Sequence, residues 1–419
     1  PSRGLGDVYK RQIQHYRPDV VFFLYTAQSL NNQHVLQQLA GELSIRYEAM
    51  TNIDALSPLS VYHAVKMIYE RYQGRRIAVD VTGGTKAMSV GVAMAGSLIG
   101  ADSVYIESRF DAGIQERRPG SERPERLQDP YTVFGDLEAR EAQKLYQAHD
   151  YQGAQRMFDA LAHRVPGQDA LRFRIYAALS EAYAAWDSFD LPGAERMLDI
   201  LLATGPADVS EAMRQHLIAQ AESLRTINAI GRHLHGRSGP PLAALEDSSF
   251  ILALFGSLYA NAMRREEQGR LDVAALLLYR CLELMSQQRL AGYGIITEQV
   301  DMHTLRRRYP ELEQHYRAVE SRIGFTPRGL PRSDGITLFN GYMLLSAFSD
   351  GLTDGLDLRT LQMQVRVRNT SILAHGYRLI TPTEYLPFKQ LVDDIRQRFF
   401  RLLQLDIYHW EEQYRFVML

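Results

Sequence analysis

From about residue 136 onward the chain contains no run that reads as a strand. Before that point short apolar runs alternate with helical patterns. This change of period limits the architecture more than any other feature, because it separates an α/β N-terminal part from an all-helical remainder. The strand-like runs are Val20–Tyr25 (VVFFLY), Ile77–Val81 (IAVDV) and Ser103–Glu107 (SVYIE). Helical patterns cover Gln33–Leu43, Ser60–Tyr72 and Lys86–Ile99, the last rich in small residues. Strands alternating with helices predict parallel β-α units in a doubly wound, Rossmann-like sheet. The charged, proline-bearing stretch 115–131 (QERRPGSERPERLQDPY) predicts a domain boundary.

Within 136–235, two segments look alike: Ala142–Leu161 and Ala178–Leu201. Each carries an aromatic-rich helix, a turn with Asp beside an aromatic, and an Ala-initiated amphipathic helix. The pattern resembles tetratricopeptide-type hairpins and predicts a helical linker region. The Gly/Pro-bearing stretch 231–243 predicts a second boundary, and 245–419 reads as a helical domain. Its predicted helices are 249–265, 270–290, 298–308, 311–322, 338–348, 358–377 and 384–412, with a Gly/Pro-rich loop at 324–335. The fold class expected is therefore α/β plus all-α.

Composition narrows the partners. A net charge of -2 over 419 residues excludes a globally basic coat for nucleic acid but leaves room for a local basic cleft. With one cysteine, Cys281, no internal disulfide or Cys-rich metal site can form, and Cys281 is expected in the core. No apolar run reaches the roughly 18 residues that span a bilayer, and no signal peptide is visible, so no membrane is expected and the cytoplasm is the expected location. Asp7–Gln12 (DVYKRQ) is what the end of a transposase-based sequencing adapter encodes. Residues 1–12 are accordingly expected to be an assembly scar outside the fold, with a native first strand missing. The α/β domain is expected over 13–125.

The C-terminal stretch Val367–Tyr377 (VRNTSILAHGY) carries the residue types of a ribonuclease centre. Arg368 and His375 are seven residues apart. At about 100° per residue they would return to within about 20° of one helix face. RNA can be cut without metal when the 2′-hydroxyl attacks the adjacent phosphorus. Arginine is permanently charged and grips phosphate oxygens, and histidine moves protons near neutrality. Asn369 would brace the helix or the site. One Arg and one His make a thin centre, and a two-fold dimer would supply two of each. These residues resemble the HEPN ribonuclease family, whose signature is Arg, four to six residues, then His. The resemblance implies a compact helical domain over 245–419, with Arg368, Asn369 and His375 in a composite active site at a homodimer interface. The helix 270–290 (RLDVAALLLYRCLELMSQQRL) also resembles a core helix of that family, and Arg280 and Glu283 interrupt its apolar face as active-site supports or as a surface ion pair.

Asp80–Met88 (DVTGGTKAM) ends one strand and opens a helix. In doubly wound folds ligands bind beyond the carboxyl ends of strands. Gly83 and Gly84 let backbone amides approach a ligand, Thr82 and Thr85 offer hydroxyls, and a helix N-terminus with Lys86 favours phosphate. Neither a Walker loop nor a GxGxxG fingerprint is present. The segment resembles the CARF family, sensor domains of CRISPR-associated effectors. That resemblance implies that Thr82, Gly83, Gly84, Thr85 and Lys86 contact cyclic oligoadenylate in a dimeric pocket, with Thr26–Asn31 as a further candidate.

Together the two motifs resemble the CARF–HEPN ancillary ribonucleases of type III CRISPR systems. The expected function is a metal-independent endoribonuclease acting on single-stranded RNA in antiviral defence, a homodimer with no cofactor and no metal, activated allosterically by cyclic oligoadenylate. The alternatives are a ring nuclease that degrades the cyclic messenger and a non-catalytic sensing regulator. Arg232, His233, His235 and Arg237 read as a solvated linker, and Arg306–Arg308 as a solvated helix end. Arg396, Arg398 and Arg401 read as the rim of the last helix. Asp350, Asp354 and Asp357 lack calcium-loop spacing.

Overall fold

The computed structural model describes every residue except 1–2, 108–109, 112–115, 118–120, 122, 130–132, 134, 205–209, 234–240 and 332–334. His235 and Arg237 therefore lie outside the described residues. The chain divides into two compact units, Pro1–Leu137 with Arg164–Pro166, and Glu138–His163 with Gly167–Leu419.

The first unit runs α1 (Arg3–Tyr16), β1 (Val20–Leu24), α2 (Gln33–Glu42), β2 (Arg46–Met50), α3 (Pro58–Arg71), β3 (Ala78–Asp80), α4 (Lys86–Ile99), β4 (Asp102–Glu107), β5 (Phe110–Asp111), β6 (Glu116–Arg117) and β7 (Arg123–Leu127). β1 pairs with β2 and β3 with β4, both parallel, as β-α units require. The single doubly wound sheet expected from the alternation is not what the described residues form. The two parallel pairs lie in separate sheets, and the three residues of β3 register against β4. The outer neighbour of β4 is β7, which runs antiparallel with Ile106 opposite Pro124. The stretch expected as a boundary thus supplies an edge strand, where proline costs no ladder bond, and Arg126 pairs with Asp102.

Packing in this unit follows residue size. Gly91 on α4 lies so close to Pro58 and Val61 that a side chain would collide with both. Val61, Ala64 and Val65 of α3 cluster with Val79 and Ala95. A second cluster joins Ile13, Phe23, Tyr25 and Leu39. Residues 3–12, expected outside the fold, are helical within α1, and Tyr9 meets Phe23 edge-on at 6.2 Å.

The second unit is helical: α5 (Asp136–Gln147), α6 (Tyr151–Arg164), α7 (Gly167–Asp187), α8 (Leu191–Thr204), α9 (Glu211–His233), α10 (Leu242–Glu246), α11 (Ser248–Glu267), α12 (Leu271–Ala291), α13 (Met302–Arg308), α14 (Leu312–Arg322), α15 (Leu338–Ala347), α16 (Leu358–Asn369), α17 (Pro382–Leu402) and α18 (Ile407–Gln413). The two look-alike segments use one device. His149 and Phe189 each take a left-handed turn, with φ of 63° in both. The next residues, Asp150 and Asp190, accept hydrogen bonds from the backbone of Gly153 (2.9 Å) and Gly193 (3.0 Å). Any side chain at either glycine would collide with that carboxylate. Ala154 and Ala194 follow, fully buried.

The core of the C-terminal helices is one continuous cluster centred on α11, α12, α15 and α17, with Cys281 inside it as expected. The expected helix 384–412 is broken: Gln404 has a φ of 55° and Asp406 caps α18 through Tyr408 N. Arg396, expected on the rim, is instead buried. Its guanidinium lies 4.2 Å from the Tyr259 ring and pairs with Glu411. Among the described residues no helix is long and apolar enough to cross a membrane.

Candidate functional site

Asp357 caps the start of α16, accepting from Arg359 N at 3.0 Å, and Leu358, Leu361 and Val365 bury one face. The helix was expected to reach Tyr377 but ends at Asn369. Thr370 is the next residue. Its hydroxyl donates to the carbonyls of Arg366 and Val367, both at 3.1 Å, in competition with the next helical turn. The chain then folds back. Ser371 N donates to Arg368 O (3.0 Å), Gly376 N to Ser371 O (3.0 Å) and Ile372 N to Arg378 O (2.9 Å). Gly376 passes so close to Thr370 that a Cβ would overlap its carbonyl.

Arg368 and His375 therefore do not share a helix face. The fold-back returns the His375 backbone to the end of α16 along another route. His375 N donates to Asn369 O at 3.2 Å, which returns the His375 backbone to the residue after Arg368. The Arg368 guanidinium lies 4.2 Å from the Tyr279 ring centroid, and Nη1 donates to Asn369 Oδ1 at 3.1 Å. Its Nε is buried with no hydrogen-bond partner among the described residues, as is Oε1 of Gln364 one turn earlier. Buried polar atoms left unpaired are rare and often mark a working site. The His375 side chain is exposed. The same short stretch of chain carries the exposed apolar side chains Ile372, Leu373 and Leu379 and the 98% exposed Tyr377.

Behind the site, α12 carries a polar network. Arg280 pairs with Glu283 at 3.2 Å and donates to Gln287 at 3.0 Å, and Gln287 continues to Thr297 and Glu298. Asp350 is buried and accepts from Arg289 and Tyr293, so its role is a structural ion pair. Arg306–Arg308 form the exposed last turn of α13. Among the described residues no three His, Cys, Asp or Glu side chains group as metal ligands. Tyr279 is the participant that sequence reasoning missed. An aromatic residue in an aliphatic run was the available signal, and nothing in the sequence tied it to Arg368.

In the N-terminal unit, Val81–Thr85 links the end of β3 to α4. Asp80 Oδ1 accepts from Thr82 N at 2.8 Å, and Gly84 has a φ of +85°, which favours glycine. The two threonine hydroxyls expected to face a ligand are engaged internally. Thr82 Oγ1 accepts from Ile106 N at 2.8 Å. Thr85 Oγ1 accepts from Met88 N at 3.2 Å, capping α4, and donates to Ala55 O. Gly83, Gly84 and Lys86 remain exposed. In the Thr26–Asn31 loop, Thr26 and Ser29 bond each other at 2.8–3.1 Å.

The family models and the curated relative name one family. A family model described as the Csm6 HEPN domain matches residues 246–399, and one described as the Csm6 6H domain matches 134–230. The CRISPR system endoribonuclease Csm6 of Thermus thermophilus is 27% identical over 376 residues, which cover 86% of this chain and 76% of the relative. Among solved structures, Enterococcus italicus Csm6 bound to cyclic hexa-2'-fluoro-hexa-dAMP aligns over 98% of this chain and 93% of that chain, with 13% identity and a TM-score of 0.49.

Proposed function

The chain belongs to the Csm6 family of CRISPR system endoribonucleases, and from that premise we propose that it cuts single-stranded RNA at Arg368 and His375, without a metal ion, when cyclic oligoadenylate occupies the loop Thr82–Lys86. The observation that carries the site is the state of Arg368. Its guanidinium is held by Tyr279 and Asn369 beside an exposed histidine segment. A restrained, permanently charged fork is suited to phosphate oxygens as negative charge builds on them. The 2′-hydroxyl loses its proton as its oxygen attacks phosphorus, with His375 accepting or positioning that proton. The bond from phosphorus to the 5′ oxygen breaks, giving a 2′,3′-cyclic phosphate, and the 5′ oxygen takes up a proton from water to leave as a 5′-hydroxyl. No step needs a cofactor.

Two copies complete the centre in this reading. The exposed apolar side chains that flank His375 in the chain support it, as does the stripe Val90, Met94 and Leu98 on α4, 51–63% exposed. Activator binding changes cleavage by favouring one arrangement of the dimer. Exposed Gly83, Gly84 and Lys86 at the start of α4 offer backbone amides and a cation to its phosphates. The setting is antiviral defence in the cytoplasm.

The test is RNA cleavage by purified protein. Arg368→Ala and His375→Ala should each lower the rate by at least about 100-fold with unchanged circular dichroism. Products should carry 2′,3′-cyclic phosphate ends, and activity should survive EDTA. Lys86→Ala should raise the activator concentration required and leave the saturated rate unchanged. Loss in EDTA restored by divalent metal would overturn the chemistry. Equal cleavage with and without every ring size would overturn the sensing role.

A further inference from the structure

The face of the Arg368 guanidinium is set by a residue outside the cleavage motif. Tyr279 sits mid-way along α12, in a run whose neighbours Leu278 and Leu282 are fully buried. It is itself partly buried and presents its ring to Arg368 at 4.2 Å. That contact joins the core helix of the domain to the last turn of α16. Two restraints then act on one planar group, and a third atom is closed to ligand. Tyr279 covers a face, Asn369 holds Nη1, and Nε is shut away from solvent without a partner. What is left for a ligand is the Nη2 edge, which has no hydrogen-bond partner among the described residues.

We propose that Tyr279 is a positioning residue of the ribonuclease centre, fixing the plane of the Arg368 guanidinium so that its Nη edge meets the scissile phosphate. This rests on the reading of Arg368 as the phosphate-gripping group. The physical case is preorganisation. A free arginine side chain samples many rotamers, and a phosphate contact made in the transition state must first collect them. A ring face attracts the cation without competing for its N–H groups, so orientation is fixed and donors stay available. A carboxylate in the same place would also hold the arginine, but it would neutralise the charge that the transition state needs. The phenol itself does not carry the proton. Burial, helped by the Glu283 charge, raises its pKa above the ordinary tyrosine value, so it stays neutral at working pH. Its covered face is also closed to an RNA base.

The experiment compares Tyr279→Phe and Tyr279→Leu with wild type and Arg368→Ala, using one single-stranded RNA at saturating cyclic oligoadenylate. Phenylalanine keeps the ring face, whereas leucine keeps apolar bulk and loses it. Tyr279→Phe should stay within about two-fold of wild-type kcat, and Tyr279→Leu should fall by about ten-fold with KM within about two-fold, the pattern of a contact made in the transition state. Both variants should melt close to wild type. If Arg368→Ala is inactive and Tyr279→Leu retains wild-type kcat, the positioning role is overturned while the site stands. If Arg368→Ala is fully active, the site reading falls and this proposal with it. Equal loss in Tyr279→Phe and Tyr279→Leu, or a melting temperature several degrees lower in Tyr279→Leu, would mark a hydroxyl or packing role and overturn the proposal.

Discussion

Gly376 has no side chain where the chain runs against the Thr370 carbonyl, and the obstacle there is backbone, which cannot swing aside. Gly376→Ala should therefore open the turn that returns the His375 backbone to Asn369. Overpacking of this kind costs about 1–3 kcal/mol. Cleavage should fall by at least about ten-fold while the far-ultraviolet circular dichroism of the helices is kept. Wild-type activity in this variant would show that the turn is not needed for catalysis. The residues of the proposed centre were legible in the sequence because their chemistry is local: a permanent cation, an amide and a titratable imidazole within one short stretch. The fold-back that returns the His375 backbone to Asn369 was not legible. Helical periodicity assumes that backbone hydrogen bonds continue, and the Thr370 hydroxyl shows a local competitor for them.

At the scale of elements, the loop after α16 is tied to the start of α17. Arg378 donates to Glu384 at 2.5 Å, and Glu384 also takes part in the capping box with Thr381. The hydrogen bond from Arg378, then those from Thr381, hold the Glu384 carboxyl below its ordinary pKa. A carboxyl with a depressed folded pKa stabilises the fold fully above its unfolded value, and this is lost as pH falls through the lower folded value. Hydrogen-exchange protection of 371–378 should therefore be flat at neutral pH and decline on the acid side of the ordinary glutamate range. Glu384→Gln should remove that acid-side decline, and an unchanged profile in the variant would reject the link. Element prediction failed elsewhere for a related reason. β2 reads RYEAM and β7 reads RPERL, polar sequences with no apolar run, and each becomes a strand because a neighbour supplies the ladder.

Across the second unit, the C-terminal residues bind helices distant in sequence. Phe416 stacks on Tyr183 of α7 at 3.8 Å, with the Arg264 guanidinium of α11 at 3.9 Å from its ring. Val417 accepts from Tyr146 of α5 at 2.6 Å, and Arg415 O accepts from Gln220 of α9 at 2.7 Å. Arg264 is ion-paired to Asp187 and almost fully buried, and burial lowers its pKa to about 10. Phe416 is partly buried, so Phe416→Ala should cost less than the about 3–5 kcal/mol of a fully buried phenylalanine, and should lower the melting temperature of the whole unit in one transition. A separate early transition confined to α5–α9 would contradict that coupling. If the centre is composite, an Arg368→Ala chain mixed with wild type should lose more activity than dilution explains, and strict proportionality would count against shared sites. The sequence by itself determined the switch from α/β to all-helical, the paired helical hairpins and the residue types of both candidate sites. Each of these is written in local period, turn chemistry or side-chain charge. Tertiary structure alone decided that the parallel pairs lie in separate sheets, that Arg396 is buried and that Tyr279 holds Arg368. Those outcomes depend on which surfaces meet after the chain has folded, and contacts between segments far apart in sequence leave no periodic trace within either segment.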